Sequence, residues 1–182
     1  TLEANFALGG SFEGEDPSDY YATLGAMGYT HIPNFDHDFV GMEAVREEVE
    51  NPTHQKVTLI FDDEDVFKIQ NSLYDEGDTY QFMQIPDVPF ESSISRYDEI
   101  VDDDGNHIGM CKHPAYNYNE RELPALAWVN TEFAEPGTRV TVNWGEPNCA
   151  KTQGIPHVMT TIGATVRDAP YIKTDRMDMK AD

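Results

Sequence analysis

Tyr97-Asp98-Glu99-Ile100-Val101, Asp102-Asp103-Asp104-Gly105-Asn106 and His107-Ile108-Gly109-Met110-Cys111 read as strand, tight turn, strand. The flanks carry β-branched and apolar residues, and Asp104-Gly105 supplies the positive φ that a hairpin turn needs. The pattern continues on both sides. Upstream, Lys56-Val57-Thr58-Leu59-Ile60-Phe61 reads as a strand. Asp62-Asp63-Glu64-Asp65 then reads as a solvated turn, Val66 to Tyr74 as a short helix, and Met83-Gln84-Ile85-Pro86 as an extended piece ended by proline. Downstream, Leu123 to Val129, Arg139 to Trp144 and Val158 to Val166 are further strands, with Glu135-Pro136-Gly137-Thr138 as a turn. Short strands at this spacing predict a β-barrel or sandwich over the last part of the chain, with Trp128 and Val129 on a buried strand and the Asp102–Asn106 turn at a solvent tip. The first 50 residues do not close a core of their own. There Asp16 or Ser18 can cap a turn or helix start, and Met42, Val45 and Val49 share one face of a helix that Asn51-Pro52 stops.

Composition narrows the function. The 182 residues suit one domain, or one and a part. Twelve Lys and Arg against 34 Asp and Glu leave a net charge of −22, which repels phosphate backbones and anionic lipid. Nucleic acid and membrane are therefore not expected partners. No apolar run nears the roughly 20 residues of a membrane span, and no basic segment precedes an apolar one as in a secretory leader. Cys111 and Cys149 make no Cys-x-x-Cys pair, so they read as reduced thiols and the expected location is cytoplasmic. Acidic residues spread along the whole chain are tolerated best where salt screens them, which suggests a salt-adapted source.

No complete catalytic set stands out. Asp102-Asp103-Asp104-Gly105-Asn106 opens like a calcium loop, but the twelfth position is His113, not a bidentate Glu, and the turn reading is preferred. In Phe35-Asp36-His37-Asp38-Phe39 the carboxylates suit a helix cap, with His37 as an alternative general base. The six histidines have no zinc-motif spacing, and no metal is expected. Lys112-His113-Pro114-Ala115-Tyr116-Asn117-Tyr118-Asn119 is the most function-like loop. Tyr116 and Asn117 are candidate substrate contacts there, the other reading being a large polar connection. Tyr20, Tyr21 and Tyr29 form a second aromatic group, for which packing is the alternative.

The order of these pieces resembles the aminomethyltransferase (T-protein) superfamily of the glycine cleavage system. Leu2-Glu3-Ala4-x-Phe6-x-Leu8-Gly9-Gly10 is similar to its Leu-Glu-Ala-Gly-x-x-Leu-Tyr-Gly segment, and Asp38-Phe39-Val40-Gly41-Met42-Glu43-Ala44 to its Asp-Phe-Ile-Gly-Arg-Glu-Ala helix start. Lys56 to Leu59, Gly105 to Gly109, Leu126 to Val129 and Pro136 to Val142 resemble successive strands and turns of its C-terminal barrel. Tyr20 to Gly25, Phe35 to Gly41 and Asn143-Trp144-Gly145-Glu146-Pro147 look more like the tetrahydrofolate-dependent O-demethylases of vanillate and syringate. Where the family has Ser-Gly-x-x-Ser-Pro after the hairpin, this chain has Lys112 to Tyr116.

The resemblance implies an α+β to mainly β chain. Residues 1–50 would end a folate-binding domain with its connecting helix, and residues 51–182 would form an antiparallel β-barrel. The implied activity is methyl transfer from an aryl methyl ether or similar donor to tetrahydrofolate. A glycine-cleavage aminomethyltransferase and a non-catalytic barrel module are the alternatives. The partner would be the N-terminal folate-domain half of the same protein, which holds the catalytic residue in the family, so this piece alone is expected to be inactive. The family's folate-contacting Arg before Leu-Glu-Ala is replaced by Thr1. Tyr29 matches an aromatic position ahead of the family's helix and would stack on the cofactor. Lys173 and Arg176 follow the last strand, where the family places a basic residue, and would meet the folate glutamate carboxylates.

Overall fold

Period-two alternation places Val140, Val142 and Trp144 on one face of their strand and Ile162, Ala164 and Val166 on one face of the next, and in the computed structural model all six are buried. The structure describes residues 7–83, 94–112, 114–147 and 156–172. Its centre is a closed barrel of six strands: β2 (His54–Phe61), β4 (Asp98–Val101), β5 (His107–Lys112), β6 (Pro124–Asn130), β7 (Arg139–Trp144) and β8 (Thr160–Arg167). Around the barrel they run β2-β6-β5-β4-β7-β8, and every neighbour is antiparallel. Closure removes the open edges that a sandwich would leave. The interior pairs bulky residues (Trp144, Phe61, Leu59) with small ones (Ala125, Ala127, Ala164), and Ile69 and Met83 join the same cluster. At Gly109 a Cβ would collide with the Trp128 carbonyl, so only glycine lets β5 and β6 approach there.

The hairpin between β4 and β5 turns at Asp102–Asn106, as its sequence requires. Gly105 takes φ 81°, and Asp102 Oδ1 accepts from the amides of Asp104 and Asn106 at 3.0 and 2.8 Å. The aspartates are therefore used in turn closure, and the exposed tip points to solvent.

Three local expectations are corrected. Trp128 is only half-buried, because Ala127 and Val129 take the inward positions of β6 and leave its ring on the outer face against Tyr97. Asp63, Glu64 and Asp65 form the first turn of helix α3 (Asp63–Asn71), where carboxylates complement the positive helix end. Helix α2 (Met42–Glu50) is capped by Gly41 at φ 84° with no side-chain bond, while Asp36 pairs instead with His37.

Ahead of the barrel, Asp16 caps a short 3-10 turn (Pro17–Tyr20), and α1 (Leu24–Met27) is a single helical turn. Strand β1 (Ala7–Gly9) pairs in parallel with β3 (Ile94–Arg96) to make a second, two-stranded sheet. This sheet carries the chain onto one end of the barrel.

Candidate functional site

That end is built by three residues on different elements. Arg96 and Asp98 lie two positions apart, so the extended chain turns both toward the barrel mouth. Glu146 follows Gly145, whose φ of 122° turns the chain out of β7. Asp98 is 1% exposed and Glu146 2%. Arg96 Nη2 donates to Asp98 Oδ1 at 3.0 Å and to Gln81 Oε1 at 3.2 Å, and its Nη1 lies 3.8 Å from Glu146 Oε1. The guanidinium sits over the Trp144 ring, 4.8 Å from the centroid, and the indole N–H donates to the Gln81 carbonyl at 2.9 Å. His157 Nε2 accepts from the Glu146 amide at 2.8 Å.

Arg96 thus lies beside two buried carboxylates. Burial pushes the Asp98 carboxyl above its ordinary range, and Arg96 only partly opposes this. Asp98 faces Cys111 across the β4–β5 pair. Burial, and then the Asp98 charge, hold that thiol well above its usual range, which makes it unreactive.

The segment Gly10–Ser11 covers the cluster. The Gly10 amide reaches Glu146 Oε1 at 3.5 Å and the Ser11 amide reaches Asp98 Oδ1 at 3.3 Å. Gly10 has φ 91°, and a Cβ on it would strike the Tyr97 backbone. Covered by Gly10 and Ser11, Asp98 and Glu146 are a buried pair and not an exposed acid–base pair. Arg96 Nε is buried without a hydrogen-bond partner among the described residues. No group of three or more His, Cys, Asp or Glu gathers as metal ligands among the described residues.

The residues singled out from the sequence fall elsewhere. Tyr29 follows Gly28, which ends α1 in the left-handed conformation while the Tyr29 amide closes back on Leu24 at 2.8 Å. Its ring is 43% exposed. Gly28 lies against Lys56, which pairs with Trp128, so Tyr29 sits near the start of β2. Tyr116 and Asn117 sit near the other end of the β2–β6 ladder. Ala115 bonds to Pro124, which pairs with Ile60, about 13 Å along the strand from Lys56. Tyr116 is 39% exposed and stacks edge-on against Tyr118. Asn117 Nδ2 donates to the Tyr171 hydroxyl, and its Oδ1 caps the amides of Asn119 and Glu120. Asn117 thus organises its own loop. The structure does not bring Tyr29 together with the Tyr116–Asn117 loop. Lys173, Arg176, His113 and Cys149 lie outside the described residues.

Arg96 and Asp98 carry no motif that marks them in the sequence, and Glu146 stands in Asn143-Trp144-Gly145-Glu146-Pro147, which is read only as a resemblance and not as a site. The available signals were the same-face spacing of Arg96 and Asp98 in an acidic chain, and the Gly145 turn that delivers Glu146 beside them.

No protein-family model matches the chain. It is 35% identical over 170 residues to a syringate O-demethylase of Sphingobium sp., covering 92% of this chain and 36% of that protein. The likeness to this demethylase runs along nearly the whole chain but takes in only part of the relative. A sesamin methylene transferase of Sinomonas sp. is 26% identical over 170 residues, covering 90% of this chain and again 36% of the relative. A solved aminomethyltransferase T of the glycine cleavage system from Bartonella henselae is 17% identical and covers 74% of this chain and 27% of that one, with a TM-score of 0.43. The chain spans about a third of the length of the curated relatives it matches. Tetrahydrofolate is the cofactor that the sequence resemblance implies. Of the residues it would use, Tyr29 presents an accessible side chain, and Lys173 and Arg176 lie outside the described residues.

Proposed function

We propose that this chain is the C-terminal part of a tetrahydrofolate-dependent transferase that takes a methyl group from an aryl methyl ether or similar donor. The observation that carries this is the 35% identity with a syringate O-demethylase along 92% of the chain. Residues 1–50 then end the folate-binding domain, and 51–182 are the barrel that closes against it. The folate pocket and the catalytic group belong mainly to the N-terminal half, the partner of this piece. A cytoplasmic setting belongs to the same reading.

The reaction makes two demands on the protein: a proton for the leaving oxygen and alignment of the donor with its acceptor. Asp98 and Glu146 are buried and engaged, so the proton donor comes from the other half. What this chain contributes is a barrel wall and an accessible Tyr29.

The test uses the full-length polypeptide that carries this chain, with syringate as donor and tetrahydrofolate as acceptor, read by mass spectrometry. Formation of the phenol together with 5-methyltetrahydrofolate is the expected result. Transfer from an aminomethyl donor alone would make it an aminomethyltransferase, and no folate binding at all would make it a non-catalytic module. In the active protein Tyr29→Ala is expected to weaken folate binding by about 1–3 kcal/mol, as loss of one stacking ring does. Lys173→Ala with Arg176→Ala is expected to weaken it most at low salt. Unchanged titration curves would remove those residues from the site.

A further inference from the structure

Ser11 occupies an unusual position in the barrel wall. Strands β4 and β7 are in register only where Ile100 meets Val142 and Val101 meets Thr141. Strands β2 and β6, by contrast, stay in register from His54 to Ile60. One step further toward the mouth, at Glu99 and Asn143, a side chain from a distant segment stands between the two strands. Ser11 Oγ accepts from the Glu99 amide at 2.8 Å and donates to the Asn143 carbonyl at 2.7 Å. A single hydroxyl satisfies the two backbone groups that the strands would otherwise offer each other. Beside it, Asn143 Nδ2 donates to Glu99 Oε2 at 2.8 Å. β4 is further weakened by a register shift between Ile100 and Val101 in its other ladder, with β5.

The same segment is held from its backbone. The Gly10 and Ser11 amides reach Glu146 and Asp98, and the Phe12 amide bonds to the Tyr97 carbonyl at 3.1 Å. Lifting residues 9–12 would therefore strip the Glu99 amide and the Asn143 carbonyl of their partner. It would also uncover Asp98, Glu146 and Arg96.

We propose that residues 9–12 are a strap that closes the barrel at the β4–β7 seam, so that this seam opens locally when the strap is withdrawn while the rest of the barrel stays intact. The strap precedes the barrel in the chain, so a force or displacement arriving from the N-terminal side reaches the seam directly. By reciprocity, whatever opens the seam loosens the strap by the same free energy. This inference does not depend on the folate reading.

Residue-resolved amide exchange on the whole chain tests it. In the Ser11→Ala variant the seam-facing amides of Glu99, Val101 and Thr141 are expected to exchange at least tenfold faster. The hydrogen-bonded amides of the β2–β6 ladder between Gln55 and Ile60 are expected to stay within twofold. Equal acceleration of both ladders would mean simple global destabilisation and would overturn the proposal, as would no acceleration at Glu99. Should the variant not fold, the unmodified chain answers the question in low urea. Glu99 is expected to open at least tenfold more often than the β2–β6 ladder, with a smaller urea dependence, and equal protection of the two regions would overturn the strap.

Discussion

Asp98 shows how a single buried carboxyl couples the barrel to pH. Its folded-state pKa is raised by burial, so the native protein holds that proton more tightly than the unfolded chain does. The contribution is fully present below the ordinary carboxylate value of 3.8 and is lost as pH rises through the elevated folded value. Asp98→Asn keeps an oxygen for the Ser11 amide and carries no charge at any pH. The variant is therefore expected to match the unmodified protein near pH 4 and to gain on it as pH rises toward 8. Paired urea melts across that range would show it, and a constant offset between the two would dismiss the role given to Asp98. Arg96 tempers the effect, because at higher pH it pairs with the ionised form at 3.0 Å.

At the scale of elements, α3 is tied to the barrel by a pair that behaves in the opposite sense. Asp62, at the N-terminal end of α3, meets the guanidinium of Arg139 at the start of β7 through both oxygens. The hydrogen bond from Arg139 lowers the Asp62 carboxyl below its ordinary range. Its stabilisation is present above 3.8 and lost as pH falls through the folded value. Both side chains are more than a third exposed, so solvent screens the pair. Arg139→Gln is expected to cost about 0.2–1 kcal/mol at neutral pH, less at 1 M salt and almost nothing near pH 2. Thermal melts under those three conditions decide it.

Elements of this kind differ in how far a sequence reveals them. The alternation in Arg139–Trp144 and the turn chemistry of Asp102–Asn106 are local, and both elements formed where expected. The acidic run at 62–65 was ambiguous, because carboxylates suit a solvated turn and a helix start equally well. Only the seating of Asp62 against Arg139 and of Asp65 against the Gly163 amide distinguishes the two. Ser11 was invisible, since its partners lie 88 and 132 residues away and no local period marks it.

For the whole molecule, charge is the main influence on stability beyond the core. A net −22 on 182 residues is self-repulsive, and described cations such as Arg96, Arg139 and Arg167 are each matched to carboxylates. Raising the salt from about 0.1 to about 1 M shortens the screening length from ~10 to ~3 Å and relieves that repulsion. A gain of about 1 kcal/mol corresponds to about 2–4 °C for a chain of this size. The melting midpoint is expected to rise by about that much or more, and a flat or falling midpoint would count against salt adaptation. At this scale the resemblance was legible because its motifs recur in register along nearly the whole chain. Two of the three residues given to the cofactor, Lys173 and Arg176, lie outside the described residues.

The strap also leaves an optical signature. The chain has two tryptophans, and they sit in unlike surroundings. Trp144 is buried at the strapped mouth beneath the Arg96 cation, with its N–H held by Gln81. Trp128 lies half-exposed on the outer wall. Their intrinsic emission therefore divides into a shielded population that reports the mouth and an accessible one that reports the wall. A rise in acrylamide quenching of the first, over the constant quenching of the second, would show the seam breathing, with no label attached.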